Sequence, residues 1–446
     1  MSIIKEKVHK TVYIIFISLL LDLLAFTMIL PLFPSLLDHY KVNDNIGLYK
    51  WLSSQIYGFQ VLVGAPEKYN SVLLGGFLGS LFSFLQFLAA PIFGGMSDII
   101  GRKKVMFICL VGISLSYVLW ALSSNLMMFI LARFLGGISK GNVSLSMAII
   151  TDVSSIETRG KGMAFVGIAF SLGFIIGPLI GAAFAVWAKK RTGEWFVIPA
   201  IFAFLLSLID LIFFMTFFKE TLPKEKRIKD VKVTLTNSGA LINVKDLFRF
   251  TAVTGINSSK RKELTTLGLI YFVYLLIYSG LEFTLTFLTH HVFNYTAMQQ
   301  GWMFFVIGIT MAVIQGIYVR KIHPQKTKSI AVKGLWLTVP AFICVGIAFE
   351  YFVLYFGLLL FSISTAMVVP SIMTMASEHG SEQQKGIVMG IFRSLGALAR
   401  AVGPIFASIA FWSVGSKITY LTGSVLLLWP AITLGRMKYV ISSYQR

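Results

Sequence analysis

The chain has 446 residues, of which 56% are hydrophobic and only 13% are charged, whereas soluble domains contain about 25% charged residues. A soluble core cannot hide that much apolar surface, so the composition excludes an ordinary soluble enzyme or binding domain. The formal net charge of +20 would suggest nucleic acid as the partner of a soluble protein. In a membrane protein, it must first be assigned to the two sides of the bilayer.

Twelve apolar segments follow one another, each near the length of about 20 residues that crosses a bilayer as a helix. They are predicted at 11–37, 71–94, 105–123, 126–150, 162–188, 196–218, 265–290, 297–319, 331–349, 351–376, 384–411 and 418–436. The sequence therefore predicts an all-α membrane protein. Its domains are an N-terminal six-helix bundle at 1–218, a cytoplasmic linker at 219–264 and a C-terminal six-helix bundle at 265–446. The ninth and tenth segments are expected to meet in a tight hairpin at Glu350.

Basic residues are distributed unevenly between the two sets of loops. Of the 39 Lys and Arg residues, 28 lie in the termini and the loops on their side, counting Lys333, Lys385 and Arg436 at the adjoining segment ends. Another 7 lie in the opposite loops and 4 lie deeper within segments. This bias predicts that both termini are cytoplasmic, and it accounts for most of the net charge without nucleic acid. On the outer side, the stretch 51–63 is expected to lie on the membrane surface, and Asn294 begins a glycosylation sequon. Plasma and intracellular membranes both remain open.

The loop between the second and third segments carries a patterned set of glycines and charges: Gly94, Asp98, Gly101, Arg102 and Lys103. The two glycines permit a tight turn and a close approach of helices. An acidic residue at the end of one helix can pair with the basic residues that follow it. We interpret the set as a latch that closes the cytoplasmic side, although each residue alone would fit an ordinary charged turn.

This spacing, G-x-x-x-D-x-x-G-R-K, resembles the loop signature of the major facilitator superfamily. Gly173, Gly177 and Pro178 resemble the antiporter motif of that family, in which glycines four apart allow close helix packing and the proline kinks the helix. Arg133 resembles the family's fourth-span arginine. Asp22, followed by two prolines, resembles the first span of tetracycline/proton antiporters.

Three further stretches, at 138–146, 279–282 and 393–400, look like the animal tetracycline-transporter-like members of the family. That resemblance implies two pseudo-symmetric six-helix bundles and an organic-anion carrier, with non-steroidal anti-inflammatory drugs among the proposed substrates. The halves are also similar to each other, because Ser-Leu-Gly and Gly-Pro recur in order in 161–178 and 385–404. Repeated halves predict a substrate site near the bilayer midplane.

Ionisable groups within apolar segments are candidate functional residues, since each costs about 2.5–3.5 kcal/mol on insertion scales. The predicted substrate-binding or proton-coupling residues are Asp22, Gln86, Arg133, Lys140, Tyr278, Glu282, Arg393 and Arg400. The family fold implies that Asp22, Lys140 and Glu282 face one aqueous space, where two carboxylates and an amine fit a proton-coupled exchanger. Lys140 and Arg400 are expected to hold an anionic group. Each charge has a structural alternative, such as a pair with a neighbouring helix, and Asp210 is expected to have such a role.

These features predict a secondary transporter for small organic anions that acts as a monomer by alternating access and is coupled to protons. No nucleotide-binding loop and no metal-ligand spacing occur in the sequence, so no cofactor is expected and the protein is predicted not to be an enzyme. One alternative is a cationic drug/proton antiporter driven by Asp22 and Glu282. Another is a non-transporting scaffold or cargo receptor, with the basic linker 219–264 as its partner surface.

Overall fold

A computed structural model describes residues 9–191, 196–227, 243–253, 257–319, 324–378 and 385–437, and the regular elements of these residues are helices. The first nine are α1 Lys10–Thr27, α2 Phe33–Asn43, α3 Leu48–Val63, α4 Asn70–Ile100, α5 Arg102–Ala121, α6 Leu126–Ser139, α7 Asn142–Val153, α8 Ile156–Arg191 and α9 Val197–Phe217. The others are α10 Val244–Arg249, α11 Ser258–Phe293, α12 Ala297–Val313, α13 Thr327–Ile347, α14 Tyr351–Ser377, α15 Lys385–Leu426 and α16 Leu428–Arg436.

Eleven helical stretches of the described residues are long and apolar enough to cross a membrane. The last of them, Ile387–Arg436, has 50 residues, more than twice the length of a span. Its helix is interrupted at Gly415, where φ is 80° and ψ is 169°, so this stretch accommodates the last two predicted segments. The predicted hairpin is also confirmed, since α13 ends at Ile347 and α14 begins at Tyr351.

The fourth predicted segment is not one continuous helix. It divides into α6 and α7 at Lys140 and Gly141, because Lys140 has φ −79° and ψ 38°, outside the helical region. A Cβ atom at Gly141 would collide with the ring of Phe93, so only glycine fits the chain closely against α4 at this point. The break therefore lies at one of the ionisable residues that the sequence had singled out.

The outer connection between the first two spans contains α3, a helix that covers the stretch predicted for the membrane surface. Its apolar side chains are largely exposed, among them Trp51, Tyr57, Phe59 and Leu62. At the far end of α11, Asn294 is exposed and has a positive φ of 53°. The membrane-surface position of α3 and the glycosylation of Asn294 stay predictions.

The chain divides by its contacts into two compact units. Unit 1 contains the described residues within Met1–Leu52, Leu85–Gly239 and Asn294–Phe305, and unit 2 contains those within Ser53–Phe84, Ala240–Phe293 and Val306–Arg446. In unit 1, α1 packs against α8 and α9, while α5 packs against α6 and α9. In unit 2, α11 packs against α15, and α13 packs against α14. The sequence halves 1–218 and 265–446 stay a prediction beside this contact-based division.

Glycines set the close packing of α8 on α1 within unit 1. A Cβ at Gly173 would meet Leu23, and a Cβ at Gly177 would meet the hydroxyl of Thr27. The Thr27 hydroxyl in turn donates a 2.8 Å hydrogen bond to the carbonyl oxygen of Gly173, and Pro178 lies within α8. The predicted close packing at the glycines of this motif is thus present in the structure.

Replacing Gly177 with alanine is expected to destabilise the protein by about 1–3 kcal/mol, because the new methyl group overpacks the contact with Thr27. Gly94→Ala is the matched control, since no atom lies within 4 Å of a Cβ at that position and alanine favours a helix over glycine by about 1 kcal/mol. Thermal unfolding of the purified variants in detergent measures both effects. Equal shifts for the two variants would contradict the packing argument.

Part of the predicted cytoplasmic linker is anchored on unit 2. Leu247, Phe250 and Val253 are fully buried, and α10 packs against α11 and α15. Arg261 of α11 donates hydrogen bonds to the carbonyl oxygens of Phe250 and Val253, at 3.1 and 2.9 Å. This part of the linker is therefore a packed element of unit 2, and these three apolar side chains are unavailable to a partner protein.

Candidate functional site

A buried ion pair joins α1 to the break between α6 and α7. The Lys140 amine lies 2.7 Å from both carboxylate oxygens of Asp22, and the two residues are 4% and 1% exposed. The amide nitrogen of Asn142 donates a third 2.7 Å hydrogen bond to Asp22. The carboxylate therefore has two donor groups, and removing either would leave a charge with fewer partners away from water.

Local structure explains how Lys140 reaches Asp22. The residue caps the C-terminal end of α6, where the helix dipole favours a positive charge. Its amine also lies 4.8 Å from the centre of the Phe26 ring, one turn beyond Asp22 on α1, a distance at which a cation is attracted by the ring face. The helix break, the carboxylate and the ring together hold the amine in one place.

Asn142 is a site residue that sequence reasoning missed. It opens α7, is 2% exposed, and the oxygen of its side-chain amide has no hydrogen-bond partner. In the sequence it also begins a glycosylation sequon with Ser144. The signal that could identify it from the sequence is a polar amide within an apolar segment, two residues from Lys140.

Two other predicted site residues of unit 1 lie apart from the pair. Arg133 is half-buried on α6 and interacts electrostatically with Tyr117 of α5. Gln86 is half-buried on α4, and it is not among the hydrogen-bond partners of Asp22 or Lys140. The structure thus brings together Asp22 and Lys140 and leaves Arg133 and Gln86 outside their hydrogen-bond network.

In unit 2, a buried carboxylate lies at the end of an aromatic stack. The hydroxyl of Tyr278 donates to Glu282 one turn away on α11, at 3.1 Å. The Tyr278 ring is parallel to that of Phe361 with centres 5.2 Å apart, and Tyr274 continues the stack at 5.5 Å. Glu282 also lines a small apolar pocket with Phe361 and Tyr420. Two of the candidate site residues, Tyr278 and Glu282, are therefore in direct contact.

The arginines of α15 differ in exposure. Arg393 is half-buried and Arg400 is exposed. Both interact electrostatically with Tyr271, and Arg400 also interacts with Glu282. Among the described carboxylates, none lies within ion-pair distance of Arg400. Of the two cations expected to hold an anion, Lys140 is thus engaged with Asp22, whereas Arg400 is accessible.

The predicted latch is built around Arg102. Its guanidinium lies 2.6 Å from Asp98 and 2.9 Å from Asp152 at the end of α7. The carboxylate of Glu220, which follows α9, accepts the backbone N–H groups of Arg102 and Lys103 at 3.0 and 3.1 Å. The latch therefore ties the start of α5 to the ends of α7 and α9.

Only one of the two latch glycines has a special conformation. Gly101 has φ 103°, a region that favours glycine, and a Cβ there would collide with Glu220. Gly94 lies inside α4 in open space, so neither a turn nor a close helix approach is found there. The tight turn expected of the loop is the single residue between α4 and α5.

We expect Asp152→Asn to destabilise the protein by about 1.5–3 kcal/mol, the range for a hydrogen bond to a charged group. Asp98→Asn is the matched comparison, and its effect should stay below about 1 kcal/mol, because exposed ion pairs contribute little. The side chain of Asp98 is 37% exposed and that of Asp152 is 18% exposed. Thermal unfolding of both variants measures the two losses of stability. A larger loss for Asp98→Asn than for Asp152→Asn would refute the conclusion that Asp152 is the stronger partner of Arg102.

Known proteins resemble the chain over nearly its whole length. Residues 15–404 match the family model of the Major Facilitator Superfamily. Major facilitator superfamily domain-containing protein 10 from Homo sapiens is 44% identical over 438 residues, covering 97% of this chain and 94% of that protein. Tetracycline resistance protein, class B, from Escherichia coli is 26% identical over 393 residues, covering 88% of this chain and 86% of that protein.

A solved structure shows the same relationship. The crystal structure of the human organic anion transporter MFSD10 (TETRAN) matches with a TM-score of 0.78 at 44% identity, covering 95% of this chain and 98% of that chain. The fold of twelve membrane-spanning helices and the transporter class, as opposed to an enzyme, are thereby confirmed. The chain belongs to the major facilitator superfamily.

Proposed function

We propose that this protein is a secondary transporter that moves small organic anions together with protons by alternating access. The observation that carries the proposal is the buried Asp22–Lys140 pair, whose two 2.7 Å contacts tie a titratable carboxylate to a cation that suits an anion. The human relative whose structure is described as an organic anion transporter supports the substrate class.

The pair links proton binding to anion binding. A proton on Asp22 removes the negative charge that holds Lys140, so the amine becomes available to an anion. Conversely, an anion that takes over the amine favours the protonated form of Asp22. Because each ligand favours the other by the same free energy, proton and anion bind together. This linkage favours transport of both in one direction, in place of the exchange expected from the sequence.

Arg400 supports an anionic substrate from unit 2. An exposed guanidinium on a spanning helix costs at least about 2.5–3.5 kcal/mol if it faces lipid, so we infer that it faces water. A guanidinium binds a carboxylate through two parallel hydrogen bonds. The stacked rings of Tyr274, Tyr278 and Phe361 are buried within the same unit. Of these groups, Arg400 is therefore the accessible one, and a carboxylate fits it.

The remaining parts of the proposal concern placement and assembly. We propose that both termini are cytoplasmic, because 28 of the 39 Lys and Arg residues lie on their side. The transporter acts as a monomer in the plasma membrane or an intracellular membrane. Accessibility of a cysteine introduced at either terminus to an impermeant reagent tests the orientation.

The function is tested by uptake into proteoliposomes of a radiolabelled anti-inflammatory arylcarboxylate. The expected result is uptake that is driven by an acidic exterior, stops when an ionophore collapses the gradient and is absent for the matched neutral amide. Uptake driven by an acidic interior would instead support exchange. Uptake that is indifferent to the gradient and unchanged in Asp22→Asn would refute the mechanism.

Two other functions are separate outcomes of the same design. Transport of the matched amine but not the carboxylate would support a cationic drug antiporter driven by Asp22 and Glu282. A scaffold would lose its cellular phenotype when the basic linker is removed but not in Asp22→Asn. The packing of Phe250 and its neighbours on unit 2 weighs against the scaffold.

A further inference from the structure

Asp210 is a buried carboxyl group for which the proposed mechanism has no role. It lies on α9, is 1% exposed, and neither of its oxygens has a hydrogen-bond partner. The Ser18 hydroxyl of α1 faces it without making a hydrogen bond of regular geometry. Neither oxygen of Asp210 therefore takes part in a regular hydrogen bond that would explain a purely structural role.

Among the described residues, the cation that interacts directly with Asp210 is Lys140, and this cation is already engaged. The helix of Asp210 packs against α1, α5 and α8. The polar groups that interact with Asp210 are Ser18 and Asp22 from α1, Tyr117 from α5, and Lys140. Tyr117 also interacts with Arg133 of α6. No charged group among the described residues of α8 enters these interactions. Because Lys140 is bonded to both oxygens of Asp22, one amine faces two carboxyl groups.

Charge balance decides the protonation of this set. If both carboxyl groups were ionised, the set would carry one uncompensated negative charge away from water, and a buried unpaired charge is neutralised in proteins by taking up a proton. Asp22 has three donor contacts to stabilise its charge, whereas Asp210 has none. The proton therefore belongs on Asp210.

We propose that Asp210 is a second proton-binding site of unit 1, which carries a proton while Asp22 is ionised in its pair with Lys140. Ser18 and Asp22 are four residues apart on α1, hence on one face and one turn from each other. In a transfer, the O–H bond of Asp210 breaks and an O–H bond forms on Asp22, directly or through the Ser18 hydroxyl. The amine that Asp22 releases then compensates the new charge of Asp210.

Infrared spectroscopy of the full protein in lipid nanodiscs tests this site without any substrate. Carbon-13 labelling of the aspartate carboxyl groups separates their bands from those of Glu282. We expect one protonated aspartic acid carbonyl band at neutral pH in the unmodified protein, lost in the isosteric variant Asp210→Asn. We also expect its loss in Asp22→Asn, because Lys140 then pairs with Asp210. Asp210→Glu should replace it by a glutamic acid band.

The spectrum of the unmodified protein decides even if a variant fails to fold. Absence of a protonated aspartic acid band, or a band that survives in folded Asp210→Asn, would overturn the inference. A role of Asp210 in transport rests on the proposed function, whereas the infrared band of its protonated carboxyl group is independent of that function. A protein that shows the band but carries no organic anion would refute the proposed function and keep the proton site.

Discussion

Lys140→Met is expected to abolish proton-driven uptake and to destabilise the protein by about 3–5 kcal/mol, the loss measured when one partner of a buried ion pair is removed. The variant leaves Asp22 at 1% exposure with the amide of Asn142 as its remaining donor. The carboxyl group must then hold an uncompensated charge or keep a proton permanently. In both cases, the protein no longer has a Lys140 amine that can leave Asp22 and bind an anion.

The double variant Asp22→Asn/Lys140→Met separates transport from stability. With both charges removed, most of the lost stability should return, because neutral replacements of a buried pair are often tolerated. Transport should remain absent, since neither the titratable group nor the cation is present. Thermal unfolding and proteoliposome uptake measure the two properties. A double variant that recovers stability and also transports with a proton gradient would show that the pair is only structural.

Arg400→Ala is expected to raise the apparent KM for an arylcarboxylate about 10- to 100-fold. This factor corresponds to about 1.5–3 kcal/mol, the value of hydrogen bonds to a charged group. Arg400→Lys should lose part of this affinity, because an amine keeps the charge but not the planar pair of donors. Uptake at a series of substrate concentrations gives the KM of each variant, and stability should change little because the side chain is exposed.

Arg393→Ala is the matched control on the same helix face. Arg393 is seven residues before Arg400 and half-buried beside Tyr271, so we expect its loss to affect stability more than KM. The opposite pattern, with KM raised in Arg393→Ala and unchanged in Arg400→Ala, would assign the anion to the other arginine.

The spanning helices and their charges could be predicted from the sequence because each depends on local composition. The lengths of the apolar segments predict the positions of the spans. Because charged side chains are rare within spans, Asp22, Lys140 and Glu282 are predicted to be functional. The pairing of Asp22 with Lys140 joins residues 118 positions apart, and only the fold brings them within 2.7 Å. The sequence therefore identified Asp22 and Lys140 as candidate functional residues, but it did not predict that they form an ion pair with each other.

What the sequence missed involves contacts between distant elements. Asp152 and Glu220 complete the latch from positions 50 and 118 residues beyond Arg102, and no local pattern marks them as its partners. The break at Lys140 is partly local, because Ser139, Gly141 and Asn142 are weak helix formers, and partly tertiary, because the Lys140 amine bonds Asp22 of α1. Asp210 was expected to have a structural role, and only the packing of α9 against α1 shows that its oxygens have no hydrogen-bond partner.

The anchoring of the linker on unit 2 limits where the protein can be labelled. The guanidinium of Arg227 lies 3.6 Å from the carboxylate of Glu220 at the beginning of the linker, and Phe250 is fully buried on unit 2. An epitope tag inserted within 243–253 would displace Phe250 from its packing, so this part of the linker is unsuitable for labelling the transporter.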